Sequence, residues 1–100
     1  SGNSAYGSGN NVQGTINTSL GNSNLIAGNG NSIVGNTNAV GGNWNSVGGI
    51  SNTVLGNGNT AIGNTNYVNG ASNLVSGASN GVLGSGNLVM GSQNNVVSTR

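Results

Sequence analysis

Glycine stands at every seventh position of this 100-residue chain, from Gly7 to Gly91 without a gap. Four residues before each of these glycines is an asparagine: Asn3, Asn10, Asn17, Asn24, Asn31, Asn38, Asn45, Asn52, Asn59, Asn66, Asn73, Asn80 and Asn87, with Asn94 continuing the series. Two residues after each Asn comes a branched apolar residue, Val or Ile from Val12 to Val96, replaced by a small one only at Ala5, Ser19 and Ala61. The unit is x-x-Asn-x-Val-x-Gly. A heptad suggests a coiled coil, but a coiled coil needs two apolar positions per repeat and good helix formers, and Gly and Asn in every turn destroy a helix.

Within the unit, Asn, Val and Gly alternate with the positions between them. That is the period of a strand with one face turned inward. Short strands at fixed spacing predict a solenoid. One strand and one turn per heptad make half a coil, so fourteen residues close a circuit. About seven coils stacked at ~4.8 Å then form a rod roughly 33 Å long, a single all-β domain over 1–100. The invariant positions face inward, where each residue lies above its own copy: the Asn amides bond one another and the turn backbone, and Val forms the dry column. Gly at the seventh position lets the backbone turn where a Cβ would clash. Asn57-Gly58 is ordinarily a hairpin signal, but a hairpin meander does not demand the same residue every seven positions.

Gly makes up 21 residues and charged residues 1% of the chain. Disorder usually comes with charge or proline, and this chain has no Pro and only Arg100 as a charge. Without Asp, Glu, His, Lys or Cys, general acid–base catalysis, thiol chemistry and the usual metal ligands are missing, and Ser and Thr have no base to activate them. We therefore expect no enzyme, no cofactor and no metal. A net charge of +1 offers phosphates no basic patch, and no apolar run reaches the ~20 residues that cross a bilayer, so nucleic acid and membrane are not expected partners. The chain begins at Ser1 and reads as a processed or excised product. Asn17-Thr18-Ser19 has the form of a glycosylation sequon, but Asn17 belongs to the inward ladder. Trp44 falls at a turn, as a surface residue or a contact.

Outward positions are the fourth and sixth of each heptad, and alternate heptads fall on opposite faces. On the first face the fourth position reads Ser4, Thr18, Ser32, Ser46 and Thr60, then Leu74 and Leu88. Beside it run Tyr6, Leu20, Val34, Gly48, Ile62, Ser76 and Met90. This is a hydroxyl file next to an apolar file. The second face, from Asn11 and Gln13 to Asn95 and Val97, has no comparable order. A flat uncharged face with regular hydroxyls and methyls suits a periodic partner: ice, or a copy of the chain. Open strand edges without Lys or Pro, and exposed Leu55, Leu74, Leu83, Leu88 and Met90, leave room for end-to-end stacking or lateral pairing into an extracellular fibre.

The repeat, as in "SNTVLGNGNTAIG" and "SGNLVMGSQNNVV", resembles that of the grass ice-recrystallisation-inhibition (antifreeze) proteins, over essentially the whole chain. The resemblance implies a left-handed parallel β-roll, an internal Asn ladder, secretion from the cell, and adsorption to ice through one flat face. Carried onto this sequence, that face holds Thr18, Ser32, Ser46 and Thr60 with neighbours Leu20, Val34 and Ile62. A weaker resemblance is to the β-roll heads of trimeric bacterial adhesins.

Overall fold

The computed structural model describes residues 2–97, and Arg100 lies outside them. The described chain is a β-solenoid of two seven-stranded parallel sheets. Sheet A takes the odd strands in the order β1 (Ser4–Tyr6), β3 (Thr18–Asn22), β5 (Ser32–Asn36), β7 (Ser46–Ile50), β9 (Thr60–Asn64), β11 (Leu74–Ala78) and β13 (Leu88–Ser92). Sheet B takes β2 (Asn11–Thr15), β4 (Leu25–Asn29), β6 (Ala39–Asn43), β8 (Thr53–Asn57), β10 (Tyr67–Ala71), β12 (Gly81–Ser85) and β14 (Asn95–Val97). Every pairing joins residues fourteen apart, as in Thr18 with Ser32 and Leu25 with Ala39. The rod measures 34 × 21 × 12 Å, matching the length expected from seven stacked coils.

Between the sheets lie two files of inward side chains, one from each sheet, joined in one cluster. Ile26, Ile33, Val40, Val47, Val54, Ala61, Val68, Val75, Val82 and Val89 are buried, flanked by the half-buried Val12 and Val96. Burying each Val or Ile contributes about 1.5–3 kcal/mol, and the described residues hold no other apolar core. Ser19 also points inward and is fully buried, with its hydroxyl 3.4 Å from Asn24 Nδ2.

The Asn ladder explains why Asn and Gly recur together. Asn31 donates its backbone N–H to Asn17 Oδ1 at 3.0 Å, and its Nδ2 to the carbonyl of Gly42 at 2.8 Å. Its own Oδ1 accepts the N–H of Asn45 at 2.9 Å. Gly28 has φ +137°, and a Cβ there would overlap that same Gly42 carbonyl and approach Asn31 Nδ2 to 3.1 Å. One carbonyl per half-coil thus needs both an amide donor and the absence of a methyl group. From Asn17 to Asn80 the ladder side chains are buried, while Asn10, Asn87 and Asn94 are half-buried. Asn87 Nδ2 has no partner among the described residues.

The strands do not begin at Asn, as the alternation suggests. They run from the fourth position to the first of the next heptad, as Leu25–Asn29 shows. The ladder Asn bonds its N–H to a side chain of the previous coil instead of to a backbone carbonyl, which takes it out of the strand. The residue before it is left-handed: Ile16, Ser23, Thr37, Trp44, Ser51, Thr65, Ser72, Ser79 and Gln93 have φ of 58–61°. For β-branched Ile16, Thr37 and Thr65 this conformation costs about 1–2 kcal/mol each. It persists because the ladders on both sides fix the corner.

Candidate functional site

The outer surface of sheet A is assembled by register alone. Ser4 pairs with Thr18, Thr18 with Ser32, Ser32 with Ser46, and Ser46 with Thr60, so five hydroxyls rise in one column at the ~4.8 Å strand spacing. Two residues along each strand, Leu20, Val34 and Ile62 stand exposed, interrupted by Gly48 between Val34 and Ile62. All seven residues expected on this face therefore lie on one sheet and point outward. Their hydroxyls have no protein partner among the described residues, whereas that of Thr15 engages Asn29 Oδ1. From β11 onward the column turns apolar, with Leu74 42% and Leu88 66% exposed, while the neighbouring file ends in Ser76 and then Met90, 69% exposed. No ionisable side chain occurs on the sheet beyond Tyr6.

A second set of files was not anticipated. At the corner leading from sheet A to sheet B, the left-handed position carries Ser23, Thr37, Ser51, Thr65 and Ser79, all exposed. The opposite corner alternates Gly2, Ile16, Gly30, Trp44, Gly58, Ser72 and Gly86. Trp44 lies over Gly30, where a Cβ would meet its ring carbons at 2.6–2.8 Å. Just outside the corners runs an outer Asn ladder, in which Asn29 N–H donates to Asn43 Oδ1 and Asn43 N–H to Asn57 Oδ1, each at 3.1 Å. It runs in the opposite sense to the inner one, since each inner N–H reaches back a coil and each outer one reaches forward. The signal for the corner files is a fourteen-residue period at the second position, which a seven-residue alignment averages away, whereas the outer Asn recur at the first position every seven residues from Asn22 to Asn43 and again at Asn57 and Asn64.

The formal sequon is closed, because Asn17 is fully buried and its Nδ2 donates to the Gly28 carbonyl at 2.8 Å. No family model and no curated protein matches the chain.

Proposed function

We propose that the chain binds ice through the outer face of sheet A and inhibits ice recrystallisation. The observation that carries this reading is the in-register hydroxyl column Thr18, Ser32, Ser46 and Thr60 beside Leu20, Val34 and Ile62. Hydroxyls fixed at one spacing hold water at that same spacing, and a bridging water is nearly as favourable as a direct hydrogen bond. The neighbouring methyls restrict where that water sits. No charge lies on the face to organise a competing hydration shell. Water ordered in this way merges with a growing lattice and pins its front between adsorbed molecules. The heptad's resemblance to the grass ice-recrystallisation-inhibition repeat supports this reading, and with it action outside the cell as a binder instead of a catalyst.

The test is ice recrystallisation inhibition by a sample shown free of aggregates by light scattering. The wild type inhibits at low concentration, and Thr18→Tyr with Thr60→Tyr, which leaves the core untouched, loses that activity. Inactive wild type sinks ice binding; a fully active double variant sinks the choice of face.

A second reading, an extracellular fibre built from copies of the chain, is favoured by the apolar end of sheet A at Leu74, Leu88 and Met90. It requires micrometre fibres in negative-stain images of protein that has no effect on ice.

A further inference from the structure

The outer surface of sheet B lacks a repeat along the rod, yet it is ordered about its middle. β8 is the central strand of the seven. Consider a two-fold axis lying along β8, which lays a second copy face to face with its rod axis reversed. β6 then lies over β10 and β4 over β12, and each outward residue meets one at the same heptad position. Leu25 falls opposite Gly81 and Ala27 opposite Leu83; Ala39 falls opposite Tyr67 and Gly41 opposite Asn69. Each of these four contacts joins a large side chain to a small one. On the axis, Leu55 meets its own copy beside Thr53.

Bare space waits where the larger partner falls. Ala39 and Gly41 floor an open hollow of about 240 Å³ walled by Leu25 and Leu55, and Tyr67, 42% exposed, is the residue the axis brings over it. Sheet A fits the same operation less well: Leu20 meets Ser76 and Leu88 meets Ser4, but Val34 meets Ile62 beside the axis and Tyr6 meets Met90, large against large. On sheet B the large pairs are Leu55 with its own copy on the axis, and Asn11 with Asn95 and Gln13 with Val97 at the ends. Turning sheet B about the rod axis instead fails, leaving Ala39 over Gly41 as a void and Tyr67 against Asn69 as a clash.

We propose that sheet B is the interface of an antiparallel two-fold dimer of this chain. Such an interface is isologous, so each contact occurs twice. A face of 34 by 21 Å offers up to roughly 700 Å² per copy, about 1,400 Å² in the pair, within the range that specific pairs bury. Pairing covers Leu25, Leu55, Tyr67 and Leu83, the exposed large hydrophobics of the sheet's interior, and leaves both copies' sheet A facing solvent. The proposal depends on no property of sheet A.

Sedimentation across a concentration series reads the pairing directly, with a monomer–dimer equilibrium expected. Gly81→Leu is the disruptive variant. A Cβ there meets nothing nearer than Asn95 Oδ1 at 3.9 Å, so the monomer folds with unchanged circular dichroism, while two overfilled contacts weaken the dimer by about 100-fold or more. Adding Leu25→Gly to Gly81→Leu exchanges the large and small partners and restores pairing. The chain has no native cysteine, so a spin label on Asn11→Cys reports orientation. The antiparallel pair separates the two labels by roughly 30 Å, six coil spacings, and a parallel pair by roughly 10 Å. A monomer at every concentration, an unweakened Gly81→Leu dimer or the short label distance overturns the proposal.

Discussion

Sheets A and B grow from the same heptad, share one core of Val and Ile, and differ in the symmetry of what they display. Sheet A is ordered by translation: one step along the rod carries Ser32 onto Ser46 and Ser46 onto Thr60. Sheet B is ordered by rotation, with no step that repeats and a centre about which large and small exchange. A translational surface suits a lattice, which is itself periodic; a rotational one suits a single copy of itself. The lesson is that irregularity on one face of a repeat protein is not the absence of design, because a regular face is a poor choice for a contact that must stop at two.

The largest expected effect removes the comparison altogether. Gly56 has φ +126°, and a Cβ there overlaps the Gly70 carbonyl. Gly56→Ala is therefore expected to cost at least about 3–5 kcal/mol in urea unfolding, with ice activity and pairing lost together. A cost under about 1 kcal/mol would mean that the coils separate freely there.

Next comes the crossed test that sharpens the comparison. Thr18→Tyr with Thr60→Tyr lowers recrystallisation inhibition by roughly tenfold or more through lost surface complementarity, and leaves the sedimentation profile as in wild type. Gly81→Leu does the reverse. If either variant moves both readouts, the faces are not independent.

Much of this was legible in the heptad. Asn, Val and Gly announced the coil, its fourteen-residue circuit and the column containing Thr18 and Thr60, because each is fixed by stacking on its own copy. The left-handed corners were hidden, since Ile16, Thr37 and Trp44 are residues that local preference places elsewhere and only the closed coil holds there. The pairing on sheet B was hidden for another reason. Leu25 and Gly81 are 56 residues apart, and nothing relates them until the stack defines β8 as its middle strand.

Smaller effects should touch neither face. Ile16→Gly relieves a left-handed β-branched residue at an exposed corner, so thermal unfolding is expected to rise by an amount corresponding to about 0.5–1 kcal/mol after the entropy glycine gains when unfolded. A fall would show that the Ile16 side chain contributes more by packing than its backbone costs. Smallest of all is the response to pH. With no Asp, Glu, His, Lys or Cys, the acid and base side chains that usually make folding depend on pH are missing, and stability without differential proton uptake has no pH slope. The unfolding temperature should shift by less than about 2 °C between pH ~4 and ~9. A steeper slope would place a terminal charge in contact with the fold.

A coil made of two identical half-turns gives the protein a parity. Inserting or deleting fourteen residues lengthens or shortens the rod by one row and keeps every downstream side chain on its own sheet. Inserting or deleting seven preserves each Asn, Val and Gly in the interior just as well, yet sends everything downstream to the opposite sheet. Such a change leaves the interior intact while splicing half of one surface onto half of the other. Stability alone is indifferent to such a change, so a seven-residue step tests the separate use of the two sides proposed above.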